Sequence, residues 1–195
     1  MRCSPPQKRF RLEARKDGYI NYNGSEESIE QNYKEDNMKI LDALNEQANF
    51  ELESAYIYRT MSAYLAEEDM AGMKHFMDMQ AKEEVEHADK MIGFLQEVGY
   101  PVHYRPLNPG EGKFKSLLDV FQKALAHEQV VTKNIYKLID LAQKEDHKPA
   151  EIFLHWYVKE QVEEEATFQS LVKQLERAGS NWGALYQIDH YMLQR

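Results

Sequence analysis

Glycine and proline almost vanish from four windows of the chain, each about 28 residues long or more, and that absence dominates what the chain can fold into. Inside the windows apolar residues recur at spacings of three and four, the period of one helix face. The first window runs over about 40–67, with Leu41, Leu44, Ala48, Leu52, Ala55 and Tyr56 on the stripe. The second, about 70–97, carries Met73, Phe76, Met77, Ala81, Ala88, Met91, Ile92 and Leu95, and Gly99 is placed to stop it. The third is expected over 116–144 with Ser116 as N-cap. Pro149 suits the first turn of the fourth, which runs to about Ala178 before Gly179. A short apolar-aromatic helix is expected over 184–193.

Connection lengths fix the topology. Short turns join the first window to the second and the third to the fourth, so each pair is expected to be antiparallel. Residues 99–115 hold Pro101, Pro106, Pro109, Gly110 and Gly112. Extended, they reach roughly 56 Å at ~3.3 Å per residue. A 28-residue helix spans only roughly 42 Å. The second pair can therefore begin at the starting end. The expected fold is all-α: a four-helix bundle with one long crossover and a short fifth helix.

Several polar residues fall where apolar ones are expected. Glu51 sits two turns before Tyr58 on one face of the first helix. Glu84 and His87 are three apart in the second, Glu128 lies in the third, and Gln161 and Glu164 are three apart in the fourth. Each set is near its helix midpoint, and midpoints of an antiparallel bundle share one layer. Four carboxylates and one imidazole in a core are prohibitive unless positive charge accompanies them. Two divalent cations would supply it. An oxygen-rich donor set with one imidazole suits iron or manganese better than zinc or copper. His127 and His155 are read as neighbours of the layer or surface residues. Met70, Met73, Met77 and Met79 are read as core filling.

Charge and cysteine content exclude other classes. Lys and Arg total 24 against 33 for Asp and Glu, a formal charge of -9, which opposes binding to nucleic acid or anionic membrane. A single cysteine, Cys3, rules out a disulfide framework and cysteine-based zinc or iron–sulfur sites within one chain; a reducing cytoplasmic setting is expected. No apolar run approaches membrane-spanning length. Residues 1–37 differ from the rest, with seven basic and seven acidic residues, four turn formers and little apolar periodicity. They are expected to be disordered or to be a misassigned start, with translation beginning at Met38 and residues 38–195 forming the domain.

The stretch Asn45-Glu-Gln-Ala-Asn-Phe-Glu51-Leu-Glu-Ser-Ala-Tyr-Ile-Tyr58 resembles the first helix of bacterial non-haem ferritins. Ala81-Lys-Glu-Glu84-Val-Glu-His87-Ala is similar to their second-helix motif. His127-Glu128-Gln129 and the run from Trp156 through Glu160, Gln161, Glu163 and Glu164 to Glu165 resemble the third and fourth. The resemblance implies a ferroxidase that oxidises Fe(II) with dioxygen or hydrogen peroxide and stores ferric mineral in a hollow shell of 24 copies. It implies a first iron held by Glu51, Glu84 and His87, and a second by Glu84, Glu128 and Glu164 with Gln161 close by. It also implies a third iron position at Glu83, Glu160, Glu163 and Glu164, and a tyrosine near the irons at Tyr58. A haem-containing bacterioferritin is disfavoured: Val85 stands where its haem-ligating methionine belongs, so no haem is expected. A rubrerythrin-type peroxidase lacks support without Cys-x-x-Cys pairs. A small DNA-protecting relative builds its site between subunits and would lack this fourth-helix carboxylate set, and a non-catalytic helical interaction module would need no metal.

Overall fold

A computed structural model describes residues 26–108, 110 and 112–194, with side chains from Lys39 onward. Five helices and no strand occur among these residues: α1 (Glu26–Glu67), α2 (Ala71–Glu97), α3 (Leu117–Lys144), α4 (Lys148–Ala178) and α5 (Trp182–Met192). None is long and apolar enough to cross a membrane. The chain divides into two compact units, Met1–Met38 and Lys39–Arg195, and the bundle belongs to the second. Helix α1 starts upstream of the periodic window: residues 26–37 hold four glutamates, good helix formers, but no sustained apolar stripe. Of the segment 1–37 expected to be disordered or a misassigned start, residues 1–25 lie outside the described residues and residues 26–37 are helical, as the first turns of α1.

Two apolar clusters reveal the direction of every helix. One gathers Met61 and Leu65 late in α1, Met73 and Phe76 early in α2, Phe121 early in α3 and Leu171 late in α4. The other gathers Leu44 early in α1, Met91 and Leu95 late in α2, Ile135 and Leu138 late in α3 and Leu154 early in α4. Helices α1 and α4 therefore run one way and α2 and α3 the other, the four-helix bundle with one long crossover. Tyr100 at the start of the crossover joins the second cluster, and Phe114 near its end packs on the first.

The crossover is extended, so its backbone groups lack helical partners. Two asparagines one turn apart on α1 supply them. Asn45 accepts from the His103 amide at 2.9 Å and donates to the His103 carbonyl at 3.0 Å. Asn49 accepts from the Arg105 amide at 2.9 Å and donates to the same carbonyl at 2.8 Å. The Arg105 guanidinium then reaches Glu53 at 2.6 Å.

Three helices end in one pattern, a left-handed residue followed by a bond back five positions. Asp69, Gly99 and Asp146 hold φ of 59°, 77° and 53°. The next amides donate to Leu65, Leu95 and Ala142 respectively. Gly99 adopts this conformation without strain, whereas the two aspartates carry it with a Cβ. Ser116 caps α3 by accepting from the Asp119 amide, as expected, and Pro149 lies in the first turn of α4.

Helix α2 has no side-chain cap of its own. Asp189 of α5 provides one from a distance, accepting from the Met73 amide at 2.8 Å while itself buried. Gly72 permits the approach: a Cβ there would lie 1.7 Å from the Asp189 carbonyl oxygen.

Candidate metal centre

The two apolar clusters leave a gap at mid-height, and the acidic residues fill it. Along α1, Ala48 belongs to one cluster and Tyr58 to the other, with Glu51 between them. On α2, Glu84 and His87 lie between Ala81 and Met91. On α3, Glu128 lies between Ala124 and Val131; on α4, Gln161 and Glu164 lie between Tyr157 and Phe168. Glu51, Glu84, His87, Glu128 and Gln161 are all buried, and Glu164 is half-buried.

The buried stripe of α1 passes through Leu44, Ala48, Glu51, Ala55 and Tyr58. Leu52 is only half-buried and Tyr56 is exposed, against the sequence expectation. Leu41, Leu44, Ala48 and Ala55 of the expected stripe are buried, and Glu51 and Tyr58 complete the buried face in place of Leu52 and Tyr56.

Within the layer, carboxylate oxygens outnumber donors. Gln47 donates to Glu51 Oε1 at 3.0 Å, Tyr58 Oη donates to Glu128 Oε1, and Gln161 Nε2 lies 3.4 Å from Glu128 Oε2. His87 Nδ1 stands 3.5 Å from Glu84 Oε2. Glu51 Oε2 and Glu84 Oε2 are buried with no hydrogen-bond donor. The two carboxyls lie within reach of each other, a pairing that needs a shared proton or a cation. Burial, followed by the neighbouring carboxylates, pushes Glu51 and Glu84 well above the usual carboxylate range. Burial also raises Glu128 to about 7 and Glu164 to about 8. Tyr58 is pushed up by burial and by Glu128. Such a cluster holds protons at neutral pH and would exchange them for metal. Among the described residues, no three acidic, imidazole or thiol groups already close on one point as a finished cage. The donors present fit hard cations: orphaned carboxylate oxygens with one imidazole beside them.

Glu83, Glu160, Glu163 and Glu164 line a groove of about 270 Å3 on the flank of α2 and α4, together with Gln80 and Met79. The groove adjoins the layer through Glu164. Gln80 Nε2 donates to Glu83, while its buried Oε1 has no partner. Met79 is exposed on this groove rather than in the core, whereas Met70, Met73 and Met77 fill the core as expected. His155 is exposed. His127 sits beside the layer, 2.7 Å from Ser54 Oγ and stacked on Phe50. Burial lowers it to about 4. Gln47, Gln80, Thr132 and Glu165 also surround the layer, at i, i+4 offsets from Glu51, Glu84, Glu128 and Gln161; Gln47 and Glu165 lie inside the stretches singled out in the sequence, whereas Gln80 and Thr132 do not.

The sequence profile of the ferritin-like domain matches residues 41–178. The chain belongs to the ferritin family. It is 38% identical over 154 residues to a bacterial non-heme ferritin of Campylobacter jejuni, covering 79% of this chain and 92% of that one. It is 37% identical over 147 residues to the bacterial non-heme ferritin of Staphylococcus haemolyticus, covering 75% and 89%. Among solved structures, an open-pore ferritin of the archaeon Archaeoglobus fulgidus superposes with a TM-score of 0.79 at 36% identity, covering 80% of this chain and 96% of that one. The profile match spans Glu51, Glu84, His87, Glu128, Gln161 and Glu164.

Proposed function

We propose that this protein stores iron, oxidising Fe(II) at the mid-bundle layer and holding the ferric product inside a hollow shell of 24 copies. The observation that carries the reading is the pair of buried, donorless oxygens on Glu51 and Glu84 in a layer otherwise sealed by apolar clusters. Glu51, Glu84 and His87 would hold one Fe(II) as substrate, and Glu84, Glu128 and Glu164 the second. Two adjacent Fe(II) ions give up one electron each, and dioxygen or hydrogen peroxide takes the pair. Carboxylates favour the higher charge of Fe(III), and the protons they hold when empty leave as iron enters. Tyr58 orients Glu128 through its hydroxyl hydrogen. The groove acids Glu83, Glu160 and Glu163 offer Fe(III) its next binding position on the way out. Val85 has no side-chain lone pair to offer a haem iron, so protein incubated with haemin and then freed of unbound haemin should retain no Soret band.

Aerobic addition of Fe(II) to purified protein, followed by ferric absorbance, particle mass and iron count, tests the reading. Glu84→Ala should abolish rapid oxidation while particles of wild-type mass still form. Oxidation at the wild-type rate by that variant would overturn the assignment.

A further inference from the structure

The groove along α2 and α4 has two chemically different ends. Glu83, Glu160, Glu163 and Glu164 line it at mid-height, whereas His75, Met79 and Met192 line it toward α5. His75 and Met79 stand one turn apart on α2, so their side chains leave the same face. Helix α5 brings the third donor. Asp189 is pinned to the Met73 amide at 2.8 Å, and Met192 lies three residues further along the same face of α5. Met192 is fully buried in the cluster that also holds Met73 and Phe76.

Packing and hydrogen bonding leave two of these side chains without a task. The half-buried His75 has no hydrogen bond, ion pair or ring contact among the described residues. A neutral imidazole carries a lone pair on one ring nitrogen, and nothing in the fold uses it. Met79 is 40% exposed, whereas Met61, Met70, Met73, Met77, Met91 and Met192 are buried. An imidazole and two thioethers suit a soft cation, while the carboxylates at the other end suit hard ones. Methionine is unbranched and flexible, so both sulfurs can close on an ion without moving a helix. The neighbouring acids favour positive charge in the groove. We propose that His75, Met79 and Met192 form a binding site for a soft monovalent cation of the Cu(I) class, separate from the mid-bundle layer. The imidazole nitrogen and the two sulfurs each give a lone pair, and no covalent bond or oxidation state changes. The site needs no iron, so it stands independently of the iron-storage reading.

Calorimetric titration of the assembled, iron-free protein with silver nitrate in chloride-free buffer tests it, with Ag(I) as the redox-inert probe. A Cys3→Ser background removes the only thiol of the chain. One tight equivalent of Ag(I) per chain is expected, and Cu(I) should occupy the same site in anaerobic competition with bicinchoninate. Saturating Mn(II), which prefers the carboxylates, should not displace either ion. Met79→Leu keeps the size of an exposed side chain and removes its sulfur; His75→Phe keeps a ring and removes its nitrogen. Each should weaken the tight equivalent by at least about tenfold, or ~1.4 kcal/mol. Met77→Leu, in the core and off the groove, should bind as the parent does. Copper-edge X-ray absorption should show sulfur neighbours beside nitrogen, with sulfur reduced in Met79→Leu. Absence of a tight equivalent would overturn the site. So would parental affinity in both Met79→Leu and His75→Phe, an equal loss in Met77→Leu, or displacement by Mn(II).

Discussion

Gly72→Ala puts the contact between α2 and α5 under direct test. The new Cβ would stand 1.7 Å from the Asp189 carbonyl oxygen, a backbone atom that no rotamer change can move aside. Helix α5 must retreat by more than ~1 Å to reach a tolerable contact. The 2.8 Å bond from the Met73 amide to Asp189 does not survive that shift, and a buried carboxylate loses its partner. Losing a charge-assisted bond of this kind costs about 2 kcal/mol. Leu185 and Met192, buried in the cluster at that end of the bundle, also lose contact. Because α5 packs on α2 and α4 rather than inside the bundle, the loss should appear as local opening. Hydrogen exchange of the α5 amides, read by mass spectrometry, should quicken by about thirtyfold, since each ~1.4 kcal/mol is a factor of ten. Amides in the middle of α3 should exchange as in wild type. Wild-type exchange throughout α5 would refute the reasoning, and would mean that the helix ends adjust without losing the cap.

Other expectations follow from the layer, the crossover and the turns. Glu164 and Glu128 titrate near about 8 and about 7, above an ordinary glutamate, so the folded protein holds protons that the unfolded chain releases. Their contribution to stability is complete below about pH 4.5 and is lost as pH rises through about 8. His127, lowered to about 4, acts oppositely but only below about pH 6.5, so the metal-free melting temperature should fall from pH 6.5 to 8.5. Saturating Mn(II) should flatten that fall and release protons measurable in weakly buffered solution. Asn49→Ala should destabilise by about 2 kcal/mol in urea unfolding, because the Arg105 amide and His103 carbonyl lose their side-chain partner. Asp69→Gly should raise stability by about 0.5–1 kcal/mol by relieving a left-handed backbone, and a lower unfolding midpoint would contradict that.

Helix number, order and pairing were legible because they depend on local signals: apolar period, Gly and Pro positions, and loop length. The layer was legible because Glu51, Glu84 with His87, Glu128, and Gln161 with Glu164 each fall near mid-helix, so antiparallel packing had to bring them level. What escaped depends on contacts between distant segments. Nothing near Asp189 announces that it caps a helix 116 residues earlier. Thr132 reads as an ordinary helix residue until Gln161 and Glu165 arrive from α4. The first-helix face was legible except at its edge: Leu41, Leu44, Ala48 and Ala55 are buried as read, whereas Leu52 and Tyr56 give way to Glu51 and Tyr58. Met79 misled for a similar reason, since an acidic groove leaves a methionine at its rim. The upstream turns of α1 carry no apolar stripe, so periodicity could not reveal them.

The division of the core into two apolar clusters has a consequence for how evolution could use this bundle. Each cluster ties all four helices together by itself, so the stratum between them is not required for cohesion. Replacing Glu51, Glu84, Glu128 and Gln161 by well-packed aliphatic residues should yield an inert bundle that melts higher than the metal-free protein. The same redundancy lets the acids be rearranged for other cations or oxidants while the two ends hold the fold. A chemically strained floor sealed between two sound storeys is free to change its tenants.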